Sequence, residues 1–90
     1  MRDGDNTGIL VVDDTPDRLE LMCVLLNTSG YRVLQAHDGC EGLEVARRER
    51  PLLVVSDVSM PRASGIELCR WIRAHAELFA TPLLLVRAQR

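Results

Sequence analysis

Three aspartates follow apolar segments of the sequence, in positions where they could bind a cation. Asp13 and Asp14 come directly after GILVV, and Asp57 comes directly after LLVVS. If these two segments are neighbouring parallel strands, their carboxyl ends share one edge of the sheet and the three carboxylates converge there. Two like charges about 4 Å apart repel by roughly 4 kcal/mol at an effective dielectric near 20, so such a cluster would recruit a cation.

Magnesium is the cation that fits this cluster best. Mg²⁺ takes one or two carboxylates, keeps several waters and leaves room for phosphate oxygens, whereas Zn²⁺ prefers His or Cys ligands, which this edge lacks. The predicted chemistry is transfer of a phosphoryl group to a carboxylate oxygen. Taken singly, Asp13-Asp14 and Asp57 could each cap a turn, but their occurrence at two strand ends in one pattern favours a metal site.

The first segments around these acids have the pattern of a strand followed by a helix. GILVVDD predicts a strand, and Thr15-Pro16 predicts a helix start, with Thr at the N-cap and Pro at the first helical position. Gly30 is expected to close that helix. Its predicted apolar face consists of Leu19, Met22, Cys23 and Leu26.

The same alternation continues to the end of the sequence. A second strand is predicted over residues 31–36, and the turn His37-Asp38-Gly39 begins a second helix that runs through Leu43, Ala46 and Arg47. A third strand covers residues 52–57, and a fourth, LLLVRA, follows Thr81-Pro82. Between them, Ser64 is expected to cap a third helix with an apolar stripe of Ile66, Cys69, Ile72 and Ala76.

Alternating strands and helices with short connections predict an α/β fold with a parallel sheet and right-handed crossovers. The strands are almost continuously apolar, which indicates that helices cover both faces of the sheet. Residues 1–7 are polar and are expected to form a flexible leader, so the domain covers residues 8–90.

The composition is that of a soluble globular domain. Hydrophobic residues make up 47% of the chain, charged residues make up 27%, and the formal net charge is -2, which argues against disorder and against a basic nucleic-acid surface. The N-terminus lacks the apolar stretch of a secretory signal, and no apolar segment is long enough to span a membrane. We therefore expect a cytoplasmic protein. Cys23, Cys40 and Cys69 lie far apart, which predicts reduced cysteines in the core.

The motifs together resemble the receiver domain of bacterial two-component response regulators. The resemblance runs from about Gly8 to Arg90 and rests on the pair Asp13-Asp14, the D-x-x-M-P-x-x-x-G pattern of Asp57, Met60, Pro61 and Gly65, the turn His37-Asp38-Gly39, and Thr81-Pro82. It implies a flavodoxin-like three-layer sandwich with strand order 2-1-3-4.

The resemblance also implies a role for each matching residue. Asp57 would accept a phosphoryl group from a sensor histidine kinase or a phosphotransfer protein, and Met60-Pro61 would shape the loop beside it. Magnesium would bind to Asp57, directly to Asp14, mostly through water to Asp13, and to the backbone carbonyl of Ser59. The domain would be no enzyme beyond its own phosphotransfer and dephosphorylation.

The sequence departs from the family near its end. A receiver domain normally has five strands and five helices, whereas this sequence stops at the fourth predicted strand. The family's small hydroxyl residue at the end of strand four is replaced by Arg87, which is followed by Ala88, and all eleven cationic residues are arginines, so the family's lysine is missing. Arg87 is either a solvated residue near the terminus or a cation that reaches the acids in place of the lysine.

These departures leave two functions open. The first is a phospho-accepting switch, and the second is a non-switching module for protein interaction or dimerisation. A phosphatase with an aspartyl nucleophile is a weaker third candidate, because such enzymes need D-x-D and the acids here are adjacent. The apolar fourth strand would have a free edge, so we expect a longer chain, a homodimer or a domain swap to cover it.

Overall fold

The computed structural model describes residues 8–60 and 62–87. In those residues, four strands alternate with three helices: β1 (Gly8–Val12), α1 (Pro16–Thr28), β2 (Arg32–Ala36), α2 (Gly39–Glu49), β3 (Leu53–Asp57), α3 (Gly65–Ala74) and β4 (Leu83–Val86). The strands form one parallel sheet in the order β2-β1-β3-β4, which confirms the predicted fold. The predicted leader and the end of the predicted fourth strand, from Ala88 onwards, lie outside the described residues. None of the helices described has the length and apolar character needed to cross a bilayer.

The sheet is covered by helices on both faces, because successive side chains of a strand point to opposite sides. On one face, α1 packs against the sheet, and the core there consists of Ile9, Val11, Leu19, Cys23 and Val55. On the other face, α2 and α3 pack against a larger core that includes Leu10, Val12, Val45, Ala46, Val54, Met60, Leu68, Ile72 and Leu78. The two central strands therefore bury nearly all of their residues, as their continuous apolar sequence predicts.

The helices begin at the predicted residues, but the N-cap of α1 differs from the prediction in its hydrogen bonding. Pro16 is the first residue of α1, but the Thr15 side chain makes no capping hydrogen bond; instead the Thr15 backbone N–H donates to Asp13 Oδ1 at 2.9 Å. At α3, Ser64 and Glu67 form a complete capping box, in which each side chain accepts a hydrogen bond from the other residue's backbone N–H. Gly30, two residues after the end of α1, has φ 97°, a conformation that glycine adopts without strain.

The capping box predicts a measurable contribution to stability. Replacing Ser64 with alanine leaves the Glu67 backbone N–H without its partner, so we expect a loss of about 1 kcal/mol in the free energy of unfolding, measured by urea denaturation. Thr15→Ala is the matched control, because Thr15 has the same position at α1 without the side-chain bond. Equal losses in the two variants would contradict this account of the cap.

Helix α3 differs from the predicted apolar stripe. Leu68 and Ile72 are fully buried, whereas Ile66 is 47% exposed and Ala76 is exposed beyond the end of the helix. The buried pair is four residues apart and so lies on one face of the helix. The prediction that Ile66 and Ala76 belong to the core was therefore wrong.

The cysteine prediction holds for only one of the three residues. Cys23 is buried in the core beneath α1, whereas Cys40 is exposed and Cys69 is partly exposed. All three are free thiols. Cys40 lies in the first turn of α2, on the side of that helix that faces away from the sheet.

The connection from α3 to β4 is held by one arginine. Arg73 Nη1, in the last turn of α3, donates hydrogen bonds of 2.9 Å to the backbone oxygens of both Phe79 and Thr81. Leu78 in the same connection is buried in the core, and the Val54 N–H of β3 bonds the Pro82 oxygen at 3.0 Å. This connection therefore has a fixed path between the helix and the strand.

Candidate functional site

The structure brings the three predicted acids together at the carboxyl edge of the sheet. β1 and β3 are neighbours, with Val12 opposite Ser56, so Asp13 and Asp57 follow paired positions. Asp13, Asp14 and Asp57 each offer a carboxylate oxygen, and these oxygens all lie within 4.8 Å of one another. Asp57 and Asp13 are largely buried, being only 6% and 9% exposed.

Asp57 is held where β3 ends and turns back towards α3. The backbone N–H of Ser59 donates to Asp57 Oδ1 at 3.2 Å, and the Gly65 N–H donates to the oxygen of Val58 at 3.0 Å. The backbone of Gly65 lies directly against the backbone oxygen of Asp57 and leaves no room there for a Cβ atom. The return of the chain at Gly65 therefore fixes the position of the Asp57 loop.

The turn His37-Asp38-Gly39 packs against the loop that follows Asp57. Gly39 N–H bonds the oxygen of Ala63 at 3.2 Å, and Asp38 caps α2 by accepting from the Glu41 N–H at 2.8 Å. The Glu41 carboxylate in turn accepts from the His37 backbone N–H, at 2.7 Å, and this bond holds the pKa of Glu41 below its usual value. This turn supports the site from outside and adds no ligand to it.

A fourth charged residue, Arg18, enters the site and was missed by the sequence analysis. Its Nε donates to Asp13 Oδ2 at 3.1 Å, and its Nη2 donates both to Asp13 Oδ1 at 3.0 Å and to Asp57 Oδ2 at 2.9 Å. The hydrogen bond to Asp13 raises the pKa of Arg18 further above its already high ordinary value, against the opposing effect of desolvation. The guanidinium is therefore a permanent positive charge between two of the three carboxylates.

The other predicted site residues lie in different places. Ser59 is exposed and adjacent to Asp57, whereas the side chain of Met60 is buried in the core on the α2 and α3 face. Arg87 directly follows β4 and is exposed, and no ion pair joins it to the acids within the described part of the chain. Ala88 and Pro61 lie outside the described residues.

A mainly apolar pocket of about 180 Å³ opens beside the acids, between α1 and β4. Its wall includes Leu21 and Met22 from α1, Val55 from β3 and Val86 from β4, and Arg18 and Asp57 lie at its polar end. Leu21 and Val86 are also strongly exposed. The acids therefore border an apolar surface that the described residues cover only in part.

The side chains at the site suit a hard divalent cation. They offer carboxylate oxygens and, in the described residues, neither His nor Cys joins the cluster. Oxygen ligands of this kind are what Mg²⁺ prefers, although Arg18 already bonds two of the three acids. The arrangement can thus hold a divalent cation next to Asp57, provided that the guanidinium leaves room.

Comparison with known proteins agrees with this geometry. The family model of the response regulator receiver domain matches residues 9–89. The polar-differentiation response regulator DivK of Brucella anthropi is 32% identical over 81 residues, which cover 90% of this chain and 66% of DivK. The chain thus spans about two thirds of the length of that relative.

Two solved structures show the same fold. The chemotaxis protein CheY4 of Vibrio cholerae superposes with a TM-score of 0.88 at 30% identity, covering 96% of this chain and 72% of that one. The response regulator TrrA of Thermotoga maritima, solved in complex with Mg(2+)-BeF, has a TM-score of 0.84 at 34% identity, covering 92% of this chain and 70% of TrrA. The flavodoxin-like fold and the strand order thus agree with those of receiver domains.

Proposed function

This chain belongs to the response regulator receiver family, and on that premise we propose that it accepts a phosphoryl group on the carboxylate of Asp57. The observation that carries the proposal is the convergence of Asp13, Asp14 and Asp57 within 4.8 Å at the end of two buried strands. The similarity to TrrA, which was solved with magnesium and beryllofluoride, supports the same site.

The three acids and Ser59 each have a part in this reaction. One carboxylate oxygen of Asp57 attacks the phosphorus of a phosphohistidine; the new O–P bond forms as the P–N bond breaks, and the imidazole leaves with the electron pair. The Ser59 N–H fixes the orientation of the Asp57 carboxylate through Oδ1. Asp13, Asp14, Asp57 and the carbonyl of Ser59 would hold magnesium, which when bound neutralises charge on the phosphoryl oxygens.

The partner of this reaction is a sensor histidine kinase or a phosphotransfer protein, and we place the reaction in the cytoplasm. The domain catalyses only its own phosphorylation and dephosphorylation. We also propose that the exposed apolar surface of α1 and β4 is covered by further chain, by a second copy or by a swapped segment. Its exposed residues include Leu21, Val24, Leu25, Leu84 and Val86.

A non-switching interaction module is the second candidate. Two observations favour it: Arg87 occupies the position after β4 where the family has a small hydroxyl residue, and Arg18 already neutralises part of the acidic cluster. As an interaction module, the domain would present the same surface to a partner at all times, because Asp57 would not be phosphorylated.

Phosphorylation with a small donor separates these candidates. We expect acetyl phosphate with Mg²⁺ to add one phosphoryl group to the domain, detected by intact-protein mass spectrometry, because Asp57 can displace acetate from phosphorus. Asp57→Asn should abolish the addition. Asp17→Asn is the matched control, since Asp17 is an exposed aspartate in the first turn of α1, and it should react like the wild type.

The other outcomes each assign a different function. No modification of the wild type at saturating donor would overturn the switch and support the interaction module. Because the switch also dephosphorylates itself, release of inorganic phosphate from acetyl phosphate fits it as well; sustained hydrolysis of a phosphate monoester over many turnovers would instead support a phosphatase. Modification that persists in Asp57→Asn would place the acceptor elsewhere.

A further inference from the structure

Arg18 occupies an unusual place for a cation. It lies in the first turn of α1, where the partial positive charge of the helix dipole disfavours cations and favours acids such as its neighbour Asp17. Its guanidinium nevertheless makes three hydrogen bonds to carboxylates of the site. The acids therefore hold the side chain there against the preference of the helix.

The guanidinium engages oxygens that a divalent cation would need. A single nitrogen, Nη2, bonds both Asp13 Oδ1 and Asp57 Oδ2, so it lies between the two carboxylates. Arg18 Nε donates a hydrogen bond to Asp13 Oδ2. Asp13 Oδ1 accepts a further hydrogen bond from the Thr15 backbone N–H. Of the three acids, Asp14 alone accepts no hydrogen bond from the described residues. A cation that bridges Asp13 and Asp57 would have to replace Arg18.

We propose that Arg18 is a built-in counter-ion that competes with Mg²⁺ for Asp13 and Asp57, so that the metal binds only when the guanidinium withdraws. This inference rests on the proposed function, because it concerns the same metal site. It assigns a function at this site to Arg18, a residue that belongs neither to the sequence motifs nor to the acidic cluster.

The surroundings of Arg18 allow it to withdraw. The Arg18 side chain is 34% exposed, whereas the side chains of Asp13 and Asp57 are only 12% and 5% exposed. Arg18 also lines the pocket beside the acids. Long arginine side chains readily place their charge in water while their stems stay on apolar surface. The carboxylates thus stay in position while the cation between them can change.

The expected effect is a weaker affinity for magnesium than the three acids alone would give. Before magnesium binds, the guanidinium must give up its ion pairs with Asp13 and Asp57, and this loss should raise the dissociation constant of the metal by about tenfold. The site should then fill only at higher magnesium concentration. Phosphorylation of Asp57 should show the same dependence on magnesium.

Isothermal titration calorimetry with MgCl₂ at constant ionic strength tests this competition. We expect Arg18→Met to bind Mg²⁺ about tenfold more tightly than the wild type, because the methionine keeps much of the apolar stem and removes the charge. Arg48→Met is the matched control: it removes an arginine that pairs with Glu49 in the last turn of α2, at the opposite edge of the sheet. Its magnesium affinity should equal that of the wild type.

A second measurement uses the wild-type protein and does not depend on the folding of a variant. The Nε–H of Arg18 donates to Asp13, so its NMR signal, assigned through its own side-chain carbons, should shift as magnesium saturates the site. The signal of Arg48 Nε–H should stay unchanged. An Arg18 signal that stays constant at full magnesium occupancy would overturn the competition.

The results also distinguish this inference from the proposed function. Equal magnesium affinities of wild type and Arg18→Met, with phosphorylation of Asp57 intact, would overturn the role of Arg18 alone. Absence of magnesium binding and of phosphorylation in both proteins would overturn the proposed function and, with it, the competition. Tighter binding by Arg18→Met together with the shifted Arg18 signal would support both.

Discussion

The Leu68→Ala variant is expected to lose about 3 kcal/mol in the free energy of unfolding. Leu68 is fully buried between α3 and the sheet, and truncation of such a leucine removes its buried methyl groups and leaves a cavity, which costs roughly 2–5 kcal/mol. A domain of this size has few kcal/mol to lose. Urea denaturation followed by circular dichroism would measure the change, and part of the variant is expected to be unfolded without denaturant.

Ile66→Ala is the matched control on the same helix. Ile66 is 47% exposed, so its replacement should change the free energy of unfolding by less than about 1 kcal/mol. The two variants together also test the orientation of α3, because the sequence alone predicted Ile66 in the core. A larger loss for Ile66→Ala than for Leu68→Ala would mean that the helix is rotated from its described position.

Gly65→Ala is expected to cost about 2–3 kcal/mol and to impair phosphorylation as well. A Cβ atom at Gly65 would collide with the backbone oxygen of Asp57 and lie 2.9 Å from Leu85 Cδ2 and 3.0 Å from Ser56 Oγ. Since the backbone of β3 cannot yield easily, the start of α3 must move away from the strand. This movement displaces the loop that carries Asp57 and Ser59. A thermal melt should show a fall of roughly 8–20 °C in the unfolding midpoint.

Gly42→Ala is the control for a glycine-to-alanine change within a helix. The nearest contacts of a Cβ atom there would be the side chains of Val12 and Leu68, at 3.1 and 3.2 Å, which can give way by a few tenths of an ångström. Alanine also favours the helix by about 1 kcal/mol over glycine, so the net change should be small. If Gly65→Ala proved as stable and as readily phosphorylated as Gly42→Ala, the close approach at Asp57 would be refuted.

The fold and the acidic cluster could be predicted because they depend on strong, repeated signals. Continuous apolar segments that end in acids identify buried parallel strands, and the edge shared by β1 and β3 then brings Asp13 and Asp57 together. These inferences need no knowledge of side-chain orientation. The site roles of Asp57, Asp13, Asp14 and Ser59 remain predictions to be tested by phosphorylation and metal binding.

The burial of the wrongly assigned residues depends on how a helix is rotated about its axis, and the sequence indicates this rotation only weakly. In α3, both Ile66 and Leu68 are apolar, so either could start the buried face, and only the packing against Ile72 and the sheet decides between them. Arg18 was missed for a related reason. It is one of eleven cationic residues, and its spacing of five from Asp13 signals a contact only once the first turn of α1 is known to start at the acidic edge.

The two hydrogen bonds from Arg73 to the α3–β4 connection have a consequence for motion. The last turn of α3 and the two loop carbonyls that precede β4 are joined through one rigid, planar group, so they cannot move independently while both bonds persist. A shift of α3 along its axis would pull on the residues that lead into β4. Strand β4 and helix α3 would then move as one correlated unit, and the other end of that helix, at Gly65, lies against the backbone of Asp57.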